Sequence, residues 1–285
     1  MPELPEVETI TNDLASLIKG DTFLKVTVAD PFVLRDISDS DFVRLLTNKT
    51  IVNVKRLGKM IDIVLSDNYH LLVHLKMTGK FYFFIDKDNK AGNEAALDQL
   101  TRHTHIVFIM KNSGILAYSD VRKFSVVYVK KDDQLNTIPY IAELGVDPLG
   151  KDYSFSKFTQ LLAKAKKRNI KSFLLDQHFI AGIGNIYASE ILFETGVSPL
   201  RTINTLSSKN IEDLFCMIPD VLARAVKASG TTFSDYRDVS GDKGSFQSKL
   251  NVYGRQAQKC LKCGREIIIV RQNNRSTFYC GFCQK

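Results

Sequence analysis

Apolar and polar positions follow two different patterns along the chain. Near the N-terminus, apolar residues recur at helical spacing and predict an amphipathic helix whose buried face is Val7, Ile10, Leu14, Leu17 and Ile18. Residues 20–130 then show short apolar runs with turn residues between them. The predicted strands are 23–29, 50–56, 60–65, 69–76, 80–85, 104–110, 114–118 and 124–130. Many short strands joined by turns favour a two-layer β-sandwich.

A helical pattern replaces the strand pattern after residues 130–133. Helices are predicted at 154–166, 187–195 and 207–228. We therefore expect an α+β protein of two lobes, an N-terminal β-sandwich that carries the first helix and a helical C-terminal lobe, with the boundary near 131–150. The charged stretch 86–98 is predicted to be a loop or insert, with no assignable role. No apolar stretch approaches the ~20 residues of a membrane span, which predicts a soluble cytosolic protein without a membrane contact.

Four of the five cysteines form two close pairs. They are Cys260, Cys263, Cys280 and Cys283, in the pattern C-x2-C-x16-C-x2-C. This is the spacing of a four-cysteine zinc site, and the stretch between the pairs is just long enough for a β-hairpin. A disulfide framework is the alternative, but 285 residues can bury a large core without covalent links. Because four protein ligands leave no open position, we predict one structural zinc ion.

Positive charge is concentrated towards the C-terminus. The chain has 39 Lys and Arg residues against 31 Asp and Glu residues, a net charge of +8. Residues 241–285 hold nine of the bases and two of the acids, so this segment carries +7 and the rest of the chain only +1. A basic zinc hairpin on a nearly neutral body is typical of nucleic-acid binding proteins. A second basic run at 164–171 supports this interpretation, although such runs are usually solvated helix faces.

The first six residues, MPELPE, offer a candidate nucleophile. Once Met1 is removed, Pro2 is an N-terminal secondary amine, and an α-amino group titrates near pH ~7.7–8.0. Such an amine can condense with the aldehyde carbon of a sugar to form an iminium. Glu3 and Glu6 supply carboxylates for the proton transfers that this chemistry needs. On these residues alone, prolines and glutamates that shape a helix N-terminus are the simpler interpretation.

Two further features are ambiguous by themselves. Gly182 and Gly184 precede a helical pattern, where backbone amides could hold a phosphate with Asn185 as a side-chain donor. A tight turn between helices explains the same glycines. The fifth cysteine, Cys216, has apolar neighbours and is predicted to be a buried apolar residue.

Together these motifs resemble the formamidopyrimidine-DNA glycosylase family, bacterial base-excision enzymes with an N-terminal proline nucleophile. The similarity extends over almost the whole chain. The matching segments are 1–8, 57–59, 74–79, 120–124, 182–190, 230–232, 252–255 and 277–280. The resemblance implies a helix-two-turn-helix motif around residues 182–185. It also implies three domains, a catalytic sandwich at 1–135, a helical domain at 136–240 and a zinc hairpin at 241–285.

The resemblance implies catalytic roles for five residues. Pro2 is similar to the nucleophile that attacks C1′ of the damaged nucleotide, displaces the base and leaves an iminium. Glu3 corresponds to the acid that opens the sugar, and Glu6 to a residue that supports the amine. Lys59 is similar to the lysine that donates a proton in β-elimination and contacts the neighbouring phosphate. Arg275 resembles the arginine at the tip of the zinc hairpin, which clamps a phosphate and assists δ-elimination.

The remaining matches concern DNA distortion and binding. Met77, Arg122 and Phe124 resemble three side chains inserted where the lesion leaves the helix, with Arg122 facing the unpaired cytosine. The alternative for Met77 and Phe124 is a place in a hydrophobic core. DNA contacts are implied for His74, His103, Lys166, Lys171, Asn185 and Tyr253. Residues 229–247 fit the loop that closes over the extruded base.

The expected activity is excision of oxidised purines from damaged double-stranded DNA, followed by strand cleavage, by a monomer in the bacterial cytosol and nucleoid. A related branch that excises oxidised pyrimidines typically has glycine where this chain has Leu4, which favours the purine branch. A DNA-binding zinc protein with a decayed site is a further alternative. It is disfavoured because Pro2, Glu3, Glu6 and Lys59 are all present. A purely structural zinc protein would not need the basic bias.

Three positions depart from the family pattern. Val121 stands where proline is common, Lys123 where a second arginine is common, and Lys76 where a glycine usually precedes the methionine. None of these changes removes a catalytic group. They leave open the geometry of the loops that carry the inserted side chains.

Overall fold

The structure, a computed structural model, describes residues 1–85, 102–112, 114–233 and 235–285. The insert predicted at 86–98 lies outside these residues. The chain divides into two units, Met1–Ala142 with Ser229–Gly244 and Glu143–Ala228 with Ser245–Lys285. The finer division into three domains, at residues 135 and 240, stays a prediction.

Two antiparallel sheets build the first unit. Its strands are β1 (Phe23–Val28), β2 (Ile51–Leu57), β3 (Met60–Leu65), β4 (Tyr69–His74), β5 (Gly79–Ile85), β6 (Thr104–Met110), β7 (Gly114–Asp120) and β8 (Val126–Lys131). One sheet has the order β1-β6-β7-β5 and the other β2-β3-β4-β8. Neighbouring strands in both sheets are antiparallel. The α+β fold with an N-terminal sandwich is thereby confirmed.

Helix α1 (Leu4–Ile18) supplies one side of the core of this unit. Its predicted apolar face is buried, and it shares one cluster with residues from both sheets. Removing each such side chain from water contributes on the order of 1.5–3 kcal/mol. A second helix, α2 (Asp39–Leu46), packs on β1 and was not predicted from the sequence.

The segment at 132–142 covers part of the second sheet. It ends in a short helix, α3 (Pro139–Ala142). Ile138 from this segment packs with Met60 on β3 and Leu72 on β4, and all three side chains are buried. This apolar cluster lies outside the main core and fixes the path of the chain at the end of the first unit.

Helices dominate the second unit. They are α4 (Phe155–Lys164), α5 (Ile170–Leu175), α6 (Asn185–Glu194) and α7 (Ser208–Lys227). The buried position predicted for Cys216 is wrong, since this residue is exposed. Leu214 and Ile218 face the core, and Cys216, two residues from each, lies on the opposite side of α7. Within the residues that the structure describes, no helix is long and apolar enough to cross a membrane.

A β-hairpin lies near the C-terminus of this unit. Its strands are β9 (Ile268–Gln272) and β10 (Arg275–Tyr279), paired antiparallel. The turn residues Asn273 and Asn274 have φ of 49° and 59°. Two consecutive left-handed residues are typical of a type I′ turn, which matches the twist of the strands it joins. Arg275 follows this turn directly.

Two strand ends differ from the sequence prediction in a way that bears on function. β4 stops at His74 and β8 begins only at Val126. The reason is that Lys76 and Lys123 have φ of 50° and 55°, which an extended strand cannot accommodate. Residues 75–78 and 121–125 therefore leave the sheets as two loops, which we call the probe loops.

Candidate active site and nucleic-acid interface

A buried carboxylate holds the N-terminal segment. Pro2 and Glu3 are buried. Oε2 of Glu6 accepts a hydrogen bond from the backbone N–H of Glu3 (2.7 Å), and Oε1 accepts one from the N–H of Thr231 (2.8 Å). Hydrogen bonds to an ionised acceptor are roughly twice as strong as neutral ones. Glu6 therefore fixes the backbone next to Pro2 and fastens the loop at 229–244 to it.

Gly230 lies against the same carboxylate. Its φ is 76°, a left-handed conformation that favours glycine. A Cβ at this position would lie 2.7 Å from Oε1 and 2.9 Å from Cγ of Glu6. Both the backbone and the available space thus require glycine here. This gives a physical reason for the motif at 230–232.

Lys59 lies in the tight turn between β2 and β3. Gly58, the first residue of this two-residue turn, has a φ of 61°, as a type II′ turn requires. Lys59 is buried, with only 4% of its surface exposed. Arg56 donates to the carbonyl of Gly58 (3.2 Å) and forms an ion pair with Glu8 on α1. This pair ties the turn that carries the lysine to the helix that follows the N-terminal segment.

His74 is the last residue of β4, opposite the strand position next to Lys59. Its Nδ1 accepts the backbone N–H of Lys76 (3.1 Å), which places the proton of the neutral ring on Nε2. Burial, with smaller contributions from the charges of Lys76 and Lys59, lowers the pKa of His74 from 6.5 to about 3. His74 is therefore an uncharged N–H donor at neutral pH.

The probe loops expose large side chains. Met77 is 36% exposed and Phe124 53% exposed, and Arg122 is exposed as well. The guanidinium carbon of Arg122 lies 4.6 Å from the centre of the Phe124 ring, within the range of a cation–π contact. Neither apolar side chain is part of a core. Large apolar side chains exposed on two loops joined through one carboxylate, as described next, are candidates for an interaction site.

Asp120 organises both probe loops. It is fully buried. Its carboxylate accepts hydrogen bonds from the Thr78 hydroxyl, from the N–H of Arg122 (3.1 Å) and from the N–H of Ser125 (2.9 Å). Burial by itself raises the pKa of Asp120, but these hydrogen bonds outweigh it and the pKa is lowered. Asp120 lies within the matching segment 120–124, but its role in holding both loops was not predicted from the sequence.

The three departures from the family pattern are compatible with this arrangement. Val121 is exposed and points away from the core. Lys76 and Lys123 adopt left-handed backbone conformations, which cost a non-glycine residue about 1–2 kcal/mol. The ammonium of Lys123 lies 2.6 Å from a carboxylate oxygen of Asp30, and this hydrogen bond lowers the pKa of Asp30. With Lys76, Val121 and Lys123 at these positions, the three hydrogen bonds to Asp120 described above are all present.

His103 immediately precedes β6 and is half-buried. Its Nε2 accepts a hydrogen bond from Nε of Arg102 (3.2 Å), and its carbonyl accepts the N–H of Asp120 (3.1 Å). His103 thus lies beside the strand end from which the second probe loop begins.

In the second unit, Lys171 and Asn185 hold strand β10. The ammonium of Lys171 lies 2.7 Å from Oγ1 of Thr277 and 3.3 Å from the carbonyl oxygen of Ser276. The side-chain amide of Asn185 donates to the same carbonyl (2.9 Å). Lys171 is only 2% exposed. In this structure both side chains fasten the strand that begins at Arg275.

The other predicted DNA contacts of this unit are accessible to different extents. Lys166 and Arg275 are exposed. Tyr253 is half-buried, with its ring edge-on to Phe278 and its N–H donated to Glu190 (2.8 Å). Glu190 on α6 accepts three consecutive backbone N–H groups here, and burial raises its pKa. This role of Glu190 in holding residues 251–253 was not predicted from the sequence, although a carboxylate in a largely apolar helix indicates a buried hydrogen-bond acceptor.

The four paired cysteines converge in the second unit. Their sulfur atoms all lie within 4.8 Å of one another. The two cross-pair distances, Cys260–Cys283 and Cys263–Cys280, are 3.9 and 3.5 Å between sulfurs. A tetrahedral zinc ion about 2.3 Å from each sulfur requires sulfurs about 3.8 Å apart. The cluster therefore fits one structural zinc ion.

Three family descriptions match successive parts of the chain. Residues 1–127 match the formamidopyrimidine-DNA glycosylase N-terminal domain, and residues 144–237 match the H2TH domain of formamidopyrimidine-DNA glycosylase. Residues 257–285 match a zinc finger found in FPG and IleRS. Because the last match contains all four cysteines, it agrees with the predicted structural zinc ion.

Individual relatives match over the full length. The formamidopyrimidine-DNA glycosylase of Heliobacterium modesticaldum is 39% identical, with all of both chains covered. The solved MutM (Fpg) protein of Thermus thermophilus is 33% identical with a TM-score of 0.86, over 99% of this chain and 98% of that one. Lactococcus lactis Fpg in complex with abasic-site DNA is 31% identical with a TM-score of 0.86, over 99% of both chains. Other structures of the Lactococcus protein contain DNA with Fapy-dG or with an oxidised pyrimidine. The chain therefore belongs to the formamidopyrimidine-DNA glycosylase family, which confirms the resemblance found in its sequence.

Proposed function

We propose that this protein is a bifunctional DNA glycosylase and AP lyase that excises 8-oxoguanine and formamidopyrimidines from duplex DNA in base excision repair. The observation that carries this proposal is the buried N-terminal site, where Glu6 holds the backbone beside Pro2 and Glu3. Burying two carboxylates costs stability that a purely structural N-terminus would not need to lose. The Lactococcus relative was solved with abasic-site DNA, which supports the same substrate class.

The chemistry follows from the proposed roles of these residues. Once Met1 is removed, the amine of Pro2 attacks C1′, the bond to the base breaks and the base leaves with a proton. Glu3 protonates the ring oxygen as the sugar opens, which leaves an iminium between C1′ and Pro2. A carboxylate of the site then accepts a proton from C2′, the C3′–O bond breaks and the 3′-phosphate leaves, with Lys59 as proton donor. Arg275 assists the δ-elimination that expels the 5′-phosphate.

The exposed residues of the probe loops are proposed to take the place of the extruded nucleotide. Met77 and Phe124 act as apolar wedges, and Arg122 faces the cytosine left without its partner. Extruding a base costs a few kcal/mol, and filling the gap offsets part of that cost. The hydrogen bonds to Asp120 support this role, because a wedge must keep its shape when it enters a base stack.

Phosphate contacts are proposed to hold the bent DNA. His74, His103 and Lys166 are assigned to direct contacts, and His74 acts as a neutral donor. For Lys171 and Asn185, whose side chains are both bonded to β10, we propose an indirect contribution through the hairpin. The zinc ion, when bound by the four cysteines, stabilises the hairpin and takes no part in the chemistry.

Oxidised pyrimidines are a second candidate substrate class. One structure of the Lactococcus relative contains DNA with such a lesion. Oxidised purines remain the first candidate, because Leu4 and the trio Met77, Arg122 and Phe124 follow the purine branch. The protein is further proposed to act as a monomer in the bacterial cytosol and nucleoid, and to have the three domains predicted above.

Borohydride trapping tests the proposed function. Duplexes that each carry one defined lesion are incubated with the protein and borohydride, and the covalent adduct is mapped by mass spectrometry. We expect trapping with 8-oxoguanine opposite cytosine, on an N-terminus that lacks Met1. An adduct on Lys59 or another lysine would overturn the assignment of Pro2. Trapping only with oxidised pyrimidines would favour the second candidate, and no adduct with any lesion would contradict the activity.

A further inference from the structure

Tyr140 contacts two of the residues on which the proposed function depends. Its hydroxyl accepts a hydrogen bond from the backbone N–H of Lys59 (2.8 Å), and its ring lies edge-on to the imidazole of His74 with centroids 5.3 Å apart. We propose that Tyr140 is a positioning residue, which holds the Lys59 turn and the His74 ring in the arrangement needed for phosphate binding and strand cleavage. This inference rests on the proposed function. It adds a residue that lies outside every motif shared with the family.

The contact with Lys59 acts on the backbone of the turn. In a two-residue turn the ladder hydrogen bonds are made by the flanking strand residues, and the N–H of the second turn residue points away from the ladder. The Tyr140 hydroxyl is an acceptor for that donor at a buried position, where a lost hydrogen bond is costly. Because the Lys59 side chain is also buried, a shift of the turn moves the ammonium with it. A misplacement of about 1 Å can lower a rate by orders of magnitude.

The contact with His74 acts on the ring. Nδ1 accepts a hydrogen bond from the N–H of Lys76 in the first probe loop, and the Tyr140 ring packs edge-on against the imidazole. The ring is therefore held by two separate contacts. The charges of Lys76 and Lys59 also lower the pKa of His74, less than burial does. The aromatic ring of Tyr140 thus helps to keep water from an imidazole that is only 5% exposed. It thereby supports the neutral form that donates from Nε2.

The hydroxyl of Tyr140 is not needed to attach its own segment, because the ring packs against an apolar cluster. Ile138 anchors the segment at 132–142 in the cluster with Met60 and Leu72. At the start of the segment, Asp132 lies 3.2 Å from Nε2 of the buried His70. Replacing the hydroxyl of Tyr140 should therefore leave the segment in place. Tyr128, which packs against the same cluster, offers a matched control for the loss of a tyrosine hydroxyl.

The first experiment compares Tyr140→Phe with Tyr128→Phe. Single-turnover cleavage of a duplex with a pre-formed abasic site, the exchange rate of the Lys59 amide in D2O, and thermal stability are measured for both variants and the wild type. Tyr140→Phe should slow cleavage roughly five- to tenfold and speed exchange of the Lys59 amide, with thermal unfolding close to that of Tyr128→Phe. Tyr128→Phe should stay within about twofold of the wild type. Equal rates and equal amide exchange in the two variants would overturn the proposal.

The second experiment separates the ring from the hydroxyl and does not depend on activity. The His74 imidazole is titrated by NMR in the wild type, in Tyr140→Phe and in Tyr140→Leu. The titration should remain near pH 3 in the first two proteins and move towards 6.5 in Tyr140→Leu. An unchanged titration in Tyr140→Leu would contradict the role assigned to the ring. If the wild type cleaved no damaged duplex at all, the proposed function would fail, while amide exchange and titration would still decide the placement of Tyr140.

Discussion

Gly230→Ala tests whether the loop at 229–244 and the buried N-terminal site depend on one another. The added methyl carbon would lie 2.7 Å from Oε1 and 3.1 Å from Cδ of Glu6, closer than atoms can pack. Either Glu6 turns away or the loop moves. In both cases Glu6 can no longer accept hydrogen bonds from the N–H groups of Glu3 and Thr231 at the same time.

Two contributions set the size of the effect. Alanine at a φ of 76° lowers the free energy of unfolding by about 1–2 kcal/mol. The lower conformational entropy of the unfolded chain offsets about 0.4–1 kcal/mol of this loss. Loss of a hydrogen bond to the charged Glu6 costs about 1.5–3 kcal/mol. The contact with Glu6 lies at the start of the loop, while Tyr236 and Val239 anchor a later part of it in the core of the sandwich. We therefore expect the second contribution to appear in catalysis more than in thermal stability. A loss of about 3 kcal/mol in the transition state corresponds to roughly 100-fold in rate.

Gly241→Ala is the matched control in the same loop. Its φ is 90°, and among the described residues nothing lies within 4 Å of the added carbon. It therefore carries the backbone cost without the contact. The assay is single-turnover release of 8-oxoguanine at saturating enzyme, with calorimetry for stability. We expect excision to fall roughly 100-fold in Gly230→Ala and at most about threefold in Gly241→Ala, and equal losses would refute the reasoning.

Four further predictions test other parts of the site. Glu3→Gln should bind lesion-containing duplex nearly as well as the wild type but release no base, because the amide keeps the size of the side chain and cannot act as an acid. Weakened binding with normal turnover in excision assays would contradict this prediction. Arg122→Ala should weaken discrimination of the base opposite the lesion more than it slows cleavage of a pre-formed abasic site, measured as rate ratios over the four opposing bases. Burial lowers the pKa of His74 to about 3, so between pH ~6.5 and pH 3 the unfolded chain binds a proton that the folded protein does not bind. The folded protein therefore has its full stability from this residue above pH ~6.5 and loses up to about 1.4 kcal/mol per pH unit as the pH falls towards 3. Urea unfolding at pH 7 and pH 4.5 should therefore show a larger loss in the wild type than in His74→Asn. Cys263→Ser should release zinc, unfold the hairpin but not the sandwich, and lower affinity for all DNA with a flatter salt dependence, as checked by metal content and by binding at several salt concentrations.

Local patterns allowed much of this protein to be predicted from sequence. The buried face of α1 follows from residues three and four apart, and each of its members is buried or partly buried. The zinc cluster follows from two short cysteine spacings, whose sulfurs do converge. In both cases the signal lies within a few consecutive residues, so no knowledge of the tertiary fold is needed to recognise it.

Contacts between distant residues were beyond such reasoning. Lys171 belongs to a basic run that reads as a solvated face, yet its ammonium is buried against Thr277, which is 106 residues away in the sequence. The role of Asp120 depends on Thr78 reaching it from the other probe loop. Tyr140 is an unremarkable residue until the 132–142 segment brings it beside Lys59. Which buried partner a polar side chain meets is decided by the packing of whole elements, and no periodicity in the sequence records it.

The shared carboxylate of Asp120 also bears on how the protein moves along intact DNA. A repair enzyme meets very many undamaged base pairs for each lesion, so side chains with the wedge role proposed above would meet stacked bases far more often than a gap. Asp120 receives hydrogen bonds from both probe loops, from Thr78 in one and from Arg122 and Ser125 in the other. A displacement of either loop would therefore disturb a carboxylate on which the other loop also depends. With the proposed wedge role, Met77, Arg122 and Phe124 would test a base pair together, and loss of the Asp120 carboxylate would weaken the support of all three side chains.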